Sequence, residues 1–195
     1  MTAGHTHSHT AARVRRLEER LIAADLTSDA ELDGILARLT SGSVLNGQRL
    51  VARAWTDPGF RERLLADATA VLPEIGLSGA VGLKPQRLIA VENTGTLHNV
   101  LVCTLCSCYP VGLLGPSPSW YKSEAYRSRV VRDPRGVLAE FGLRLPAGTR
   151  IVVHDTSAES RFVVVPRRPE GTEGLSEEEL ARLVTRDGLI GTAAL

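Results

Sequence analysis

The chain has 195 residues, enough for one ordinary domain or one core with an appended arm, and long enough to bury roughly 70% of its unfolded surface. Lys and Arg number 23 against 22 Asp and Glu, a formal net charge of +1. Nothing in that balance suggests nucleic acid or an anionic membrane as a partner. No apolar run approaches the roughly 18 residues a bilayer span needs. The polar start MTAGHTHSHTAARVRR has no apolar stretch of a secretory signal, so a soluble cytoplasmic protein is expected.

Residues 1–12 carry His5, His7 and His9 in alternation without apolar periodicity and are expected to lack regular structure. From Ala11, Val14, Leu17, Leu21 and Ile22 recur at helical spacing, and Leu32, Ile35, Leu36 and Leu39 repeat the pattern after Thr27-Ser28-Asp29. Two amphipathic helices follow from this. SGSVLNG reads as a loop and NGQRLVARAW as the start of a further helix. Asp57-Pro58 gives an N-cap followed by proline at the first helical position, and the helix it opens, with Phe60, Leu64, Leu65, Ala68 and Val71 on one face, is expected to end at Pro73 and Gly76.

Gly79 to Pro85 reads as loop, and Arg87–Glu92 and Val100–Thr104 as short strands. VGLLGPSPSWY is rich in Gly and Pro and reads as an irregular connection. Ser123–Val131 and Pro134–Phe141 read as helices, the second with Asp133 as N-cap and Gly142 as its stop. TRIVVHD and SRFVVVP are strand candidates around the turn residues 156–159, and Ser176 with Glu179 forms a capping-box pattern ahead of Leu180, Leu183 and Val184. Helices first, then strands mixed with helices, predict an α+β protein: an N-terminal helical arm over residues 1–45 and a layered domain of helices and sheet over residues 46–195.

All three cysteines, Cys103, Cys106 and Cys108, fall within VCTLCSCYP. An odd count argues against a disulfide framework. Three uses of the thiols compete. A disulfide would pair two and strand the third. A tetrahedral zinc site would need a fourth ligand, with His98 or His154 as donors. A site built from this segment alone would use three thiolates and the deprotonated backbone amides of Ser107 and Cys108, which only a strongly Lewis-acidic trivalent cobalt or iron ion would support, leaving one octahedral position open.

VCTLCSCYP with HN just before it, WYKSEAYRSRVV after it, ESRFVVVPRRPEGTEG, LVTRDGLIG and the upstream RLVARAWTDPGFRERLL resemble the alpha subunit of nitrile hydratase, from about Asn46 to Gly191. The resemblance implies that family's alpha-chain fold and hydration of a nitrile to the amide. It makes Cys103, Cys106 and Cys108 the sulfur ligands and the amides of Ser107 and Cys108 the nitrogen ligands, with Cys106 oxidised to sulfinate and Cys108 to sulfenate. Thr104 within CTLCSC matches members that hold non-corrin cobalt rather than iron, so Co(III) is expected ahead of Fe(III). In this picture the ion polarises the nitrile or activates water, and the Cys108 sulfenate is nucleophile or base.

Partners are implied too. Arginines of a separate beta-type subunit meet the oxidised cysteines, the N-terminal arm wraps that partner, and a third subunit occurs in some members. Gln86 and Tyr109 fall near substrate-pocket positions, and Val111 stands where many relatives carry tryptophan. The smaller side chain suggests room for a bulkier nitrile, including the nucleoside-type substrate handled by the three-subunit toyocamycin nitrile hydratase. Glu159 and Arg161 resemble residues that brace the cysteine loop from behind. Trp55, Trp120 and Phe141 are expected in the core or an interface. The rival readings are the cobalt subunit of thiocyanate hydrolase and a non-catalytic zinc or redox module.

Overall fold

The computed structural model describes residues 3–77, 86–106 and 108–195, apart from the side chains of residues 3–8, 38 and 39. The predicted loop over Gly79 to Pro85 lies outside the described residues. The chain divides into two compact units, residues 1–37 and 38–195. The first holds helix α1, Ala3–Ala23, and most of α2, Asp29–Thr40. Residues 3–12 were expected without regular structure. Instead α1 runs through them, an extension of the Ala11–Ala23 pattern that adds one hydrogen bond per residue once the helix has been nucleated.

The second unit carries the core. Helix α3 spans Val44–Thr56, capped by Ser43, whose hydroxyl accepts the Leu45 N–H. SGSVLNG is therefore a cap and a first helical turn rather than a loop. α4 spans Pro58–Ala66 behind the Asp57 cap, as the sequence predicts. The predicted continuation breaks at Asp67, whose carboxylate accepts the N–H groups of Thr69 and Ala70 and opens α5, Ala68–Val71; a 3-10 turn over Leu72–Ile75 leads to Gly76. Strands β1, Arg87–Glu92, and β2, Leu97–Val102, follow.

The Gly/Pro-rich connection holds a helical turn, α6, Val111–Leu114, and a 3-10 turn over Ser119–Lys122. Then come α7, Glu124–Val130, and α8, Pro134–Glu140, with Asp133 as cap and Gly142 at φ +86° as the stop. β3, Arg150–Asp155, and β4, Ser160–Val165, precede α9, Glu177–Leu183, which carries the expected capping box. A short α10, Arg186–Ile190, capped by Thr185, was not anticipated.

The strands form two parallel ribbons. β1 pairs with β4 from Arg87↔Ser160 to Glu92↔Val165, and β2 pairs with β3 from Leu97↔Arg150 to Val102↔Asp155. Each β2 residue after Leu97 is buried, the pattern of a parallel strand covered on both faces. Leu50, Phe60, Leu64, Leu101, Leu113, Leu138, Val164 and Leu189 lie in one core cluster, and full burial of each such side chain contributes roughly 1.5–3 kcal/mol. Trp120 packs edge-on against Tyr126 and Phe141 at 4.9 and 4.7 Å between ring centroids. Trp55 donates its indole N–H to Pro166 O at 2.9 Å. Among the described residues no helix is long and apolar enough to cross a membrane.

Candidate metal centre

The cysteine loop begins where β2 stops pairing. Val102 lies opposite Asp155, the last residue of β3, so the next residues are held by side chains instead of a neighbouring strand. Asp155 accepts the Thr104 N–H at 2.9 Å and the Thr104 hydroxyl at 2.5 Å. Arg127 on α7 donates Nε to Cys103 O at 2.9 Å and Nη2 to Thr104 O at 2.6 Å. At the far end the hydroxyls of Tyr121 and Thr156 both donate to Cys108 O, at 3.0 and 2.8 Å.

Within that frame the sulfurs converge, with Cys103 to Cys106 at 3.2 Å and Cys106 to Cys108 at 3.0 Å. All three thiols are free. Cys103 is 1% exposed, Cys108 half-buried and Cys106 exposed. The Cys106 N–H donates to Cys103 Sγ at 3.3 Å. In the metal-free cluster burial alone would raise the Cys103 thiol, but hydrogen bonds from the backbone and thiol of Cys106, the Cys108 backbone and Thr156 outweigh it and bring it down to about 7. Burial and the bond to Cys106 push Cys108 up to about 12, against the opposing charge of Arg161.

Among the described residues only these three cysteines bring metal-ligating atoms together, all within 4.8 Å of one another. His98 and His154, the donors a zinc site would need, are committed elsewhere. His98 binds Gly191 O at 2.7 Å and Asn93 Nδ2 at 3.3 Å, and His154 binds Asn99 Oδ1 at 2.8 Å. A three-sulfur loop without an imidazole fits an ion that completes its shell from backbone nitrogen better than it fits four-coordinate zinc. Ser107, assigned there by the sequence resemblance, lies outside the described residues.

The other candidates spread around the loop. Tyr109 is buried beside the cluster, edge-on to Tyr121 at 5.1 Å, and its hydroxyl has no protein partner. Burial raises its pKa well above the usual phenol range. Val111 is half-buried at the start of α6, its N–H bonded to Tyr109 O at 2.8 Å. Gln86 is half-buried directly before β1. Arg161 is buried on β4, donating Nη1 to the carbonyls of Ser157 and Ser160 and leaving Nε without a partner. Glu159 is exposed, and its carboxylate accepts the Ser157 hydroxyl at 3.0 Å. It makes no hydrogen bond to the described part of the loop.

Arg127, Asp155, Tyr121 and Thr156 escaped the sequence reading. Tyr121 and Arg127 lie within WYKSEAYRSRVV and Asp155 ends TRIVVHD, but using either signal needed the β2–β3 register and the place of α7. Fold and site together define a class: an α+β protein whose cysteine loop, set at the end of a parallel strand, gathers three sulfurs able to hold one ion.

Comparison with known proteins is specific. The family model for the nitrile hydratase alpha chain matches residues 8–193. The chain is 48% identical to the low-molecular weight cobalt-containing nitrile hydratase subunit alpha of Rhodococcus rhodochrous, over 98% of this chain and 92% of that one. It is 49% identical to the cobalt-containing subunit alpha of Pseudonocardia thermophila, over 92% and 88%. Among solved structures, a recombinant thiocyanate hydrolase with partially modified cobalt centres superposes with a TM-score of 0.86 at 39% identity, covering 94% of this chain and 88% of that one. A double mutant of the Fe-type nitrile hydratase of Comamonas testosteroni Ni1 gives 0.81 at 41%, covering 96% and 91%. The chain belongs to the nitrile hydratase alpha-subunit family.

Proposed function

We propose that this chain is the metal-binding subunit of a nitrile hydratase, acting with partner subunits to hydrate a nitrile to the amide at a non-corrin Co(III) centre. The ligands are Cys103, Cys106 and Cys108 with the backbone amides of Ser107 and Cys108. The observation that carries this is the convergence of three sulfurs at 3.0 and 3.2 Å in one loop, with no fourth His, Cys or carboxylate ligand beside them among the described residues. Cobalt over iron is supported by Thr104 and by the cobalt-containing relatives.

When bound, the trivalent ion supplies Lewis acidity toward the nitrile or a water molecule. Cys103 is the buried anchor. Cys106 and Cys108 are the more accessible sulfurs, which suits their oxidation to sulfinate and sulfenate, since oxidation follows exposure. The Cys108 sulfenate oxygen attacks the nitrile carbon or takes the proton of an attacking water. Tyr121 and Thr156 hold the Cys108 carbonyl and so orient it. Arg161 and Glu159 act one step further out, both fastening Ser157 in the turn that carries Thr156.

A beta-type partner supplies arginines to the oxidised cysteines. Leu105, 91% exposed next to Cys106, offers an apolar contact for it. The exposed Val14, Leu17 and Leu26 support the proposal that residues 1–45 wrap the partner, and a third subunit would attach by the same logic. Gln86, Tyr109 and Val111 are proposed to line the pocket, with Val111 admitting a bulky or heterocyclic nitrile. Free thiols suit a reducing, cytoplasmic setting.

Thiocyanate hydrolysis is the second reading, favoured by 45% identity to the gamma subunit of the Thiobacillus thioparus thiocyanate hydrolase over 76% of this chain and 65% of that one. The assembled complex should form amide from aryl and small nitriles, with cobalt bound and two oxygens on Cys106 and one on Cys108 by mass. Turnover of thiocyanate alone selects the second reading, and stoichiometric zinc on unmodified thiols removes both. Cys108→Ala should abolish amide formation in a complex that still assembles, and retained turnover refutes its role.

A further inference from the structure

The carbonyls of Cys103 and Thr104 leave the sheet beyond the last paired residue of β2. Arg127 meets both with one planar fork, while Asp155 holds the Thr104 N–H and hydroxyl from the other side. A dipeptide gripped this way cannot rotate about its backbone without breaking two charge-assisted hydrogen bonds at once. Cys103 is the buried end of the cluster, with Cys106 3.2 Å from it and Cys108 3.0 Å from Cys106, so this backbone sets where the cluster is rooted in the fold. Charge alone does not account for the arrangement. Two carbonyls are reached by two N–H groups of a rigid guanidinium, a geometry that a lysine ammonium does not reproduce. The docking of α7 has its own anchor in the preceding residue, because Tyr126 donates its hydroxyl to Leu101 O at 2.5 Å inside the paired part of β2.

We infer that Arg127 is a positioning residue for the metal centre: by fixing the Cys103–Thr104 backbone it aims Cys103 Sγ and governs how firmly the loop holds its ion. This rests on the reading of Cys103, Cys106 and Cys108 as metal ligands. The test compares Arg127→Lys, Arg127→Gln and Tyr126→Phe in the full complex, following cobalt per chain under chelator challenge, the sulfur-to-metal absorption band and the thermal midpoint. Both Arg127 variants should hold cobalt about ten-fold less firmly, with a displaced band. Tyr126→Phe should lower the thermal midpoint at least as much yet load and absorb like wild type.

Wild-type loading with an unchanged band in both Arg127 variants overturns the inference, as does equal metal loss in Tyr126→Phe. If the Arg127 variants do not accumulate, hydrogen exchange in the metal-free wild-type complex decides. The Arg127 Nε–H, which donates to Cys103 O, should exchange slowly, and exchange at the rate of a free arginine side chain overturns the inference. A wild-type complex that retains no metal at all refutes the reading of the cluster instead.

Discussion

Gly191 shows how one atom can hold the end of a chain against a sheet. Its φ of +89° lies in the left-handed region, and a Cβ there would meet Asn99 O at 2.0 Å and Val100 Cα at 2.9 Å, both rigid backbone of β2. Gly191→Ala should therefore destabilise the protein by about 3 kcal/mol, from left-handed strain and from displacing the segment off β2. Urea unfolding of the variant checks this, and a loss under about 1 kcal/mol would mean that the C-terminal segment shifts freely. At this scale the cysteines were legible because their chemistry depends on local spacing. Arg127 and Asp155 were not, because their role depends on where α7 and the end of β3 arrive in space, and an arginine or aspartate on a helix or strand carries no such mark. Tyr109 was picked out by adjacency alone, and the structure adds that its hydroxyl is buried without a partner.

At the level of elements, caps carried more information than apolar runs. The Ser176 hydroxyl accepts the Glu179 N–H at 3.3 Å while Glu179 Oε2 accepts the Ser176 N–H at 2.8 Å. This is the reciprocal box the sequence announces, and α9 then buries Leu180 and Ala181 against Ala52 and Trp55. Ser176→Ala should cost about 1 kcal/mol, read as a lower denaturant midpoint at unchanged slope; no change would show that packing alone holds α9. The break at Asp67 is the counterexample: Leu64, Leu65, Ala68 and Val71 continue a helical rhythm across it, and only the competing aspartate cap reveals two helices. Four strands were visible as apolar runs, although β2 takes in Leu97–Asn99, which read as connection, and stops at Val102 rather than Thr104; the partners of the strands were not visible. β1 and β2 are joined by residues 93–96, and β3 and β4 by residues 156–159, yet neither neighbouring pair forms a hairpin. In each case the chain crosses from one ribbon to the other, an outcome of long-range packing that alternation along a strand cannot encode.

Across residues 38–195 a buried polar chain links these ribbons to the C-terminal segment. Asn93 Oδ1 accepts the Asn99 N–H at 2.7 Å, so Asn93 Nδ2 faces His98 Nδ1 as a donor. That makes Nδ1 an acceptor and Nε2–H the donor to Gly191 O, a neutral imidazole with no room for a second proton. Burial holds the His98 pKa below its ordinary 6.5, with the Gly191 carbonyl opposing, and burial lowers His154 likewise. A group with a depressed folded pKa contributes stability that is complete above the unfolded value and is lost as pH falls through the folded one. Stability should accordingly decline as pH drops below 6.5. The carboxylates lowered by their partners, Glu74, Glu140 and Glu179, lose their contribution only below the ordinary 4.5. In the metal-free protein the Cys103 thiol titrates at about 7, so the histidine effect is isolated by comparing His98→Gln with wild type rather than by the wild-type curve alone. Urea midpoints at pH 7.5 and 5.5 should converge in the variant relative to wild type, at a lower stability at pH 7.5. Parallel curves for the two proteins would show that His98 accepts a proton without disturbing the link between β2 and Gly191.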